Sequence, residues 1–249
     1  LDETRCNNTH EEVCEQAEII FVCVPTPMQK SGKCDTALLV SAIDRLRSGC
    51  LSVGNRPTVV IKSTVPPGTT TEIHNQGYFD VCFSPEFLTE ANSFEDFKNQ
   101  TRIIVGGQGA KKVKQMFRKP FQKIPIIITK SETAEMVKYF TNCFLATKVT
   151  FANQMYDLCS TFGVDYDKVC EYVLHDQRIG KSHLAVPGPD GDRGFGGHCF
   201  PKDLAAMIFH STEKGCDPVV LKTIQKENLK IRKNKDWLNM LGRAISDKE

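Results

Sequence analysis

The sequence predicts an α/β protein in which a truncated, doubly wound and mostly parallel sheet is followed by an all-helical unit. Apolar runs of strand length alternate with helical patterns from residue 17 to residue 129, which is the arrangement typical of α/β folds. Beyond residue 129 only helical patterns recur. We therefore place a domain boundary near residue 130 and expect domains at 1–130 and 131–249.

Short apolar runs mark the strands. Residues 17–24 form one run, which ends at Pro25, and residues 58–62 form another, which is stopped before Pro66. Because consecutive residues are apolar, these strands are expected to be buried on both faces, as in a parallel sheet. Three further strands are expected at 81–83, 102–105 and 124–128.

Helical spacing marks the segments between the strands. Residues 35–46 carry the apolar spacing of a helix, with Asp35 as its N-cap. The closest match to the phosphate-binding fingerprint G-x-G-x-x-G lies at 106–109, and Lys112 occupies the place of its last glycine. We interpret this segment as a turn between a strand and a helix.

The second half is predicted to be helical throughout. Residues 131–159 form one long helix with Ser131 as its cap and with Phe140 and Phe144 on its apolar side. A glycine- and proline-rich loop covers 186–197. The remaining helices are expected at 165–174, from Pro201 onward, and from Pro218 to about Met240.

The composition is that of an ordinary globular chain. With 40% hydrophobic and 25% charged residues and a net charge of +2, it argues against global disorder and against a nucleic-acid binder. No apolar run approaches the roughly 20 residues that span a bilayer. The Lys-rich segment 222–235 is interpreted as the solvated face of a helix.

Eleven cysteines are present, and their spacing is not that of a zinc site. We expect no metal, free thiols, and a reducing compartment, hence the cytoplasm. Cys23, Cys143 and Cys170 lie within apolar segments, so their side chains are expected to be buried.

The strongest chemical signal is the segment 194–203, Gly-Phe-Gly-Gly-His-Cys-Phe-Pro-Lys-Asp. Its glycines allow a backbone to pass close to a ligand, and Pro201 suits the first turn of a helix. Cys199 therefore precedes a helix N-terminus and neighbours Lys202, and both features stabilise a thiolate. We predict that Cys199 is a nucleophile, and an inert cysteine packed in a turn is the alternative.

This segment resembles the nucleophile motif of the UDP-glucose/GDP-mannose dehydrogenase family. Five other segments resemble motifs of that family in the family's order. They are Val-Pro-Thr-Pro at 24–27, Lys-Ser-Thr-Val-Pro at 62–66, Ser-Pro-Glu-Phe-Leu-Thr-Glu at 84–90, Glu-Met-Val-Lys-Tyr-Phe-Thr-Asn at 135–142 and Asp-Gln-Arg-Ile-Gly at 176–180. Ser84 replaces the asparagine that is usual in the family. Each motif is short, but the six occur in the family's order and are spread over nearly the whole chain.

The resemblance implies a partial NAD-binding, Rossmann-like domain at 1–130 and a helical central domain at 131–249. It implies NAD as the cofactor, a nucleotide sugar as the substrate and a homodimer through the central helices, for which we single out 218–240. The implied reaction oxidises the sugar C6 alcohol to a carboxylate through a thiohemiacetal and a thioester on the cysteine. Cys-Phe-Pro-Lys-Asp resembles the UDP-glucose branch most, so UDP-glucose is the expected substrate, and GDP-mannose is less favoured.

The resemblance also assigns site residues. The catalytic residues are Cys199, Lys138, Asn142, Asp203, Glu86 and Thr64. The cofactor-binding residues are Val24, Pro25, Thr26, Ser63, Thr64, Glu90 and Lys202. The substrate-binding residues are Phe87, Leu88, Lys138, Asn142, Arg178, Phe195 and Gly196.

The residue chemistry fits these assignments. Lys138 and Asn142 lie one helical turn apart and can jointly polarise an oxyanion at C6. Asp203 follows Cys199 by one turn and can hold a water near the same carbon. A carboxylate that stabilises the first helical turn is the alternative for Asp203. The family assigns Glu86 to thioester hydrolysis.

Two other functions stay open at this point. The first is a truncated, non-catalytic, dimerising remnant, favoured because no G-x-G-x-x-G segment precedes Ala17 and opposed because every candidate chemical residue is present. The second is a thiol redox sensor built on Cys199, which predicts sensitivity to peroxide without dependence on sugar.

Overall fold

The computed structural model of the chain describes residues 7–88 and 92–248. These residues form two compact units. The first unit contains the residues up to Thr26 together with Asp35–Lys138, and the second contains Pro27–Cys34 together with the residues from Tyr139 onward.

The described part of the first unit is built on a five-stranded sheet with its strands in chain order. The strands are β1 (Ile19–Val22), β2 (Thr58–Ile61), β3 (Asp80–Phe83), β4 (Ile103–Gly107) and β5 (Ile126–Thr129). Three neighbouring pairs are parallel, and β3 with β4 is antiparallel. The prediction of an α/β fold with a mostly parallel sheet is confirmed.

Helices cover both faces of this sheet. They are α1 (His10–Gln16), α2 (Ala37–Val53), α3 (Thr69–Asn75), α4 (Ser93–Lys98) and α5 (Ala110–Arg118). Since successive side chains of a strand point to opposite faces, Val59 packs in one apolar cluster with Leu39 and Ile43. Its neighbour Val60 packs in another cluster with Val113. This two-sided burial explains why the strands are apolar at consecutive positions.

Two helix starts test the sequence predictions closely. Thr36, not Asp35, occupies the N-cap position of α2, although the Asp35 carboxylate accepts the N–H of Ala37 at 3.0 Å. The helix continues past residue 46 until Gly54 ends it with a left-handed φ of 74°. The predicted turn between a strand and a helix is confirmed, but it is shorter than 106–109. Gly106 and Gly107 belong to β4, and Gly109, with a φ of 79°, is the residue before α5.

The second unit is helical. It contains the part of α6 (Ser131–Thr161) from Tyr139 onward, and α7 (Tyr166–Val173), α8 (Phe200–Glu213) and α9 (Val219–Ile231). The long helix is confirmed, but its predicted apolar side is wrong at two positions. Phe140 and Phe144 are exposed and stack on each other, with ring centroids 6.2 Å apart.

The predicted helix from Pro218 to Met240 is too long. The structure ends α9 at Ile231, and Arg232 leaves the helical conformation with φ −75° and ψ 116°. Its buried guanidinium pairs with Asp190 at 2.7 Å and with Asp192 at 3.5 Å, which a continued helix would not satisfy. The interpretation of 222–235 as a solvated face is therefore wrong at Asn228 and Arg232, both of which are buried.

The cysteine predictions hold only in part. Cys143 is buried, as expected, but Cys23 is exposed and Cys170 is partly exposed. Cys23 directly follows β1, the edge strand of the described sheet. An apolar run in sequence therefore does not guarantee burial at its end.

Two features are absent from the described residues. None of their helices combines the length and the apolar character needed to cross a membrane. Within 7–88 and 92–248, no group of His, Cys, Asp and Glu side chains is placed to hold a metal ion.

Candidate active site

Cys199 lies at the start of α8. It is the N-cap residue of this helix, and Pro201 stands in the first turn. The N–H of Asp203 donates to the Cys199 carbonyl at 3.0 Å, which closes that turn. Its side chain is partly exposed, so the structure places Cys199 where the sequence predicts a reactive thiol.

The loop before Cys199 requires its glycines for two reasons. Gly194 and Gly197 adopt left-handed φ values of 71° and 69°, which residues with a Cβ rarely adopt. A Cβ on Gly194 would also lie 2.5 Å from Oδ1 of Asn228, and one on Gly196 would overlap the side chains of Arg232 and Asp236. The loop is thus packed closely against the end of α9.

A buried group of charges lies behind this loop. Nζ of Lys202 is 2.5 Å from Oδ1 of Asp203, and the Asn142 amide donates to Oδ2 of the same carboxylate at 2.5 Å. Asp203 is 1% exposed and Lys202 is 8% exposed. Asn142 and Lys202 therefore satisfy both oxygens of the carboxylate, as a buried charge requires.

The charge of Lys202 is stabilised by its neighbours. Burial disfavours the ammonium, but the Asp203 carboxylate and the negative charge that Cys34 and Cys199 carry when ionised favour it more, so the pKa of Lys202 lies above its ordinary value. The fold thus favours the positively charged form of Lys202, which interacts electrostatically with Cys199.

Hydroxyl groups connect the strand ends of the first unit. The Thr26 hydroxyl donates to the Thr64 carbonyl at 2.7 Å, and the Ser63 hydroxyl donates to the Val24 carbonyl at 2.6 Å. Pro25 lies between Val24 and Thr26, after the end of β1. Because β1 and β2 are parallel, these residues share one edge of the sheet, the edge at which α/β proteins bind ligands.

This edge suits a cofactor with a neutral, hydrogen-bonding ring substituent such as a carboxamide. The Ser84 hydroxyl, after β3, is buried and has no hydrogen-bond partner among the described residues. A buried hydroxyl without a partner costs free energy, and a ligand carboxamide would remove that cost. The residues present therefore fit the nicotinamide end of NAD.

Lys138 belongs to a second group near the end of β3. Its ammonium donates to the Glu86 carbonyl at 2.6 Å and lies 5.7 Å from the centre of the Phe87 ring. Lys62 lies 3.8 Å from the Glu86 carboxylate. The structure thus brings Lys138, Glu86 and Phe87 together, and Leu88 follows them partly buried. Glu90 lies outside the described residues.

Two expected substrate residues are placed differently. Arg178 forms a salt bridge with Asp176 at 2.5 Å, and its side chain is 89% exposed, so the described residues do not join it to the other candidates. Phe195 is buried against Cys143 and Leu204. The roles of both residues in substrate binding stay predictions.

Three residues near these groups were not singled out by the sequence. Glu135 is fully buried and accepts the N–H groups of Gly68 at 2.7 Å and Thr70 at 2.9 Å. Burial raises the pKa of Glu135, although these hydrogen bonds oppose the shift. Burial, with Cys34 and Asp203 nearby, raises the pKa of Tyr139 well above its ordinary value. Asn228 is the third. The hydrogen-bond partners of Glu135 and Asn228 are remote from them in sequence.

Comparison with known proteins gives a consistent result. Residues 2–124 match the NAD binding domain of the UDP-glucose/GDP-mannose dehydrogenase family, and residues 132–230 match its central domain. The first match supports NAD as the cofactor of that domain. A UDP-glucose 6-dehydrogenase of Rickettsia conorii is 36% identical over 91% of this chain and 52% of its own length.

Solved structures agree. A UDP-glucose dehydrogenase from the archaeon Pyrobaculum islandicum superimposes with a TM-score of 0.79 at 33% identity, over 90% of this chain and 52% of that one. A GDP-mannose dehydrogenase from Pseudomonas aeruginosa has a TM-score of 0.63 at 26% identity, over 89% and 53%. The chain spans about half the length of the relatives it matches.

Proposed function

Because the chain belongs to the UDP-glucose/GDP-mannose dehydrogenase family, we propose that it carries out the NAD-dependent oxidation of UDP-glucose to UDP-glucuronate. One observation carries the proposal. Cys199 stands at a helix N-terminus with a buried, charged Lys202 near its sulfur, which is the environment of a nucleophilic thiolate.

NAD, when bound, supplies the acceptor for hydride from the sugar C6. We assign its contacts to the strand-end residues Val24, Pro25, Thr26, Ser63 and Thr64. The hydrogen bonds that tie Thr26 to Thr64 and Ser63 to Val24 support this assignment, because they fix the two loops at one edge. Glu90 is proposed for the same side on the basis of its motif.

Cys199 provides the covalent step. Loss of a first hydride from C6, with the hydroxyl proton passing to water, gives the C6 aldehyde. The Cys199 thiolate forms a C–S bond to this aldehyde, and the electron pair of the C=O bond moves to oxygen, giving a thiohemiacetal oxyanion. Loss of a second hydride from that carbon, for which NAD when bound would again be the acceptor, leaves a thioester. Water then adds to the thioester carbonyl, the C–S bond breaks, and the carboxylate, the thiolate and two protons are released.

Charged and amide side chains assist these steps. Lys138 and Asn142 are proposed to stabilise the oxyanion, and each such contact is typically worth about 100–1,000-fold in rate. Asp203 holds Lys202 in its charged form and, with Glu86, is proposed to orient the hydrolytic water. We therefore propose that Lys202 stabilises the Cys199 thiolate, in addition to the cofactor-binding role that its motif suggests.

The sugar contacts and the assembly extend the proposal. Phe87, Leu88, Arg178, Phe195 and Gly196 are proposed to bind the nucleotide sugar. We also propose a cytoplasmic homodimer that pairs through α9, on which Val219, Val220 and Leu229 are exposed. Sedimentation that shows only monomer at high protein concentration would contradict the dimer.

Substitution of Cys199 tests the chemistry. Titration of NAD by calorimetry first establishes cofactor binding by the chain. We then expect Cys199→Ala to lose the second oxidation and Cys199→Ser to form an ester that hydrolyses slowly, because oxygen esters react less readily with water than thioesters do. Measuring NADH formed per sugar distinguishes these outcomes from the wild type.

Cys216→Ala is the matched control, since Cys216 is an exposed cysteine beyond α8. It should form the acid at the wild-type rate. Acid formation at the wild-type rate by Cys199→Ala would exclude Cys199 as the nucleophile. Separately, faster turnover of GDP-mannose than of UDP-glucose by the wild type would exclude UDP-glucose as the preferred substrate.

A further inference from the structure

The loop that leads to Cys199 is held from the end of α9. The Asn228 side chain accepts the N–H of Phe195 at 2.8 Å and donates to the carbonyl of the same residue at 2.9 Å. It therefore satisfies both polar groups of one residue at once. Asn228 is 2% exposed, so no water replaces these two bonds without a change in packing.

Two further side chains hold the neighbouring amides. Asp236 accepts the N–H of Gly197 at 3.0 Å, and Asn153 accepts the N–H of Gly194 at 3.3 Å. Each of them supplies only an acceptor to the loop. Asn228 alone among these three supplies a donor and an acceptor to one residue, so it fixes the orientation of both peptide groups that flank the Phe195 Cα.

The side chain of Phe195 makes this orientation consequential. Its ring packs in the core with Cys143 and Leu204. It also meets the Phe200 ring edge to face, with the ring centroids 6.0 Å apart. Phe200 is the first residue of α8 and follows Cys199 directly. Because Phe195 precedes Cys199 and its ring contacts Phe200, holding the two peptide groups of Phe195 restrains the chain on both sides of Cys199.

We propose that Asn228 is a positioning residue that holds the glycine loop so that the Cys199 sulfur stays at the N-terminus of α8 beside Lys202. The inference rests on the proposed role of Cys199 and adds a residue outside its motif. The competing explanation is that Asn228 only stabilises the core.

Two substitutions separate these explanations. Asn228→Ala removes the donor and the acceptor together. Asn228→Asp keeps an acceptor for the Phe195 N–H but, when ionised, has no donor for the Phe195 carbonyl. When protonated, it has both, and burial favours the protonated form of a carboxyl group. The aspartate variant should therefore regain the wild-type hydrogen bonds as the pH falls.

The measurement is the rate at which iodoacetamide alkylates Cys199 in the folded chain, followed by mass spectrometry and divided by the wild-type rate at the same pH. We expect Asn228→Ala to react about tenfold more slowly between pH 6 and pH 8, because a loop without these two bonds no longer holds the sulfur at the helix N-terminus that stabilises its thiolate. For Asn228→Asp the ratio should be similarly low near pH 8 and should approach one near pH 6, at roughly which a buried carboxyl group gains its proton.

Asn55→Ala is the matched control. The Asn55 amide also makes two hydrogen bonds to backbone, with the carbonyls of Cys14 at 2.8 Å and Ala17 at 2.9 Å, but in the first unit. Its melting temperature should fall, while the labelling of Cys199 stays at the wild-type rate. A merely stabilising Asn228 would give the same result as this control.

Labelling of Cys199 that is as fast in Asn228→Ala as in the wild type, or faster, would overturn the inference. So would an aspartate variant whose ratio does not rise as the pH falls. If Asn228→Ala fails to fold, the pH response of the aspartate variant still decides. Labelling needs neither NAD nor sugar, so a chain that forms no NADH but shows these ratios would contradict the proposed function alone.

Discussion

Each unit of the chain contains a lysine that faces a carboxylate near a proposed catalytic residue, and the two pairs differ in burial. Lys202 and Asp203 are both buried and 2.5 Å apart. Lys62 and Glu86 are 3.8 Å apart, with the Lys62 side chain 12% exposed and that of Glu86 46% exposed. The pKa of Lys202 is raised, whereas burial lowers the pKa of Lys62 and Glu86 offsets only part of that shift.

The difference shows that burial alone does not decide the charge of a lysine. Burial disfavours the ammonium in both cases, and the outcome depends on how closely a carboxylate approaches and whether solvent weakens it. At Lys202 a fully buried, doubly hydrogen-bonded carboxylate outweighs the burial. The folded second unit therefore favours the charged form of Lys202, whereas Lys62 holds its proton less tightly.

The largest expected effect concerns the carboxylates. Asp203→Asn leaves the Lys202 ammonium buried without a counter-charge, and we expect the free energy of unfolding to fall by roughly 3–5 kcal/mol. Glu86→Gln removes a longer and more exposed partner, so its loss should stay below about 1 kcal/mol. Urea unfolding at neutral pH measures the loss of unfolding free energy in each variant. Equal losses would mean that the two lysine–carboxylate pairs do not differ in burial.

Much of the fold and the position of Cys199 follow from the sequence, but not all of the structure does. The strands were predicted because apolar runs bounded by proline or glycine are local signals, and Cys199 was found because its motif is contiguous. The end of α9 was missed because helical spacing continues past Ile231. Only a long-range contact, the pairing of Arg232 with Asp190, reveals where the helix stops.

The supporting residues of the site show the same limit. Asp203 was predicted as a candidate, but the sequence could not show that Asn142 and Lys202 would share its two oxygens. Asn228 and Glu135 were missed altogether, because an isolated Asn or Glu in a helix carries no local sign of a buried backbone partner. Such residues become visible only when tertiary packing brings Phe195 or Gly68 against them.

The pH dependence of stability should separate the two lysines by sign. A raised pKa makes the folded state hold its proton more tightly, so the contribution of Lys202 is complete below its ordinary value of 10.5 and is lost as the pH rises above it. The lowered pKa of Lys62 destabilises the folded state at neutral pH, and this cost is relieved as the pH rises toward 10.5.

Comparison with Met variants isolates each contribution. The stability of the wild type relative to Lys62→Met should rise with pH up to 10.5, whereas its stability relative to Lys202→Met should fall above that value. Urea titrations of the three proteins between neutral and alkaline pH measure these differences. Slopes of the same sign would contradict the opposite pKa shifts.

Salt should produce the smallest of these effects. The Debye length shrinks from about 10 Å at 0.1 M salt to about 3 Å at 1 M, and screening acts mainly on charges that solvent reaches. Glu86 is reached by solvent and Asp203 is not. The loss of stability in Glu86→Gln is expected to be below about 1 kcal/mol at about 0.1 M salt. It should nearly vanish in about 1 M sodium chloride.

The loss of stability in Asp203→Asn should persist in both salt concentrations, because its cause is an unpaired buried charge and not a screened attraction across water. Each variant is compared with the wild type in the same salt, so the general effect of salt on folding cancels. If salt reduces the loss of unfolding free energy by the same proportion in Asp203→Asn as in Glu86→Gln, then solvent reaches the Lys202–Asp203 pair. That result would contradict the inference that a buried charge lies near Cys199.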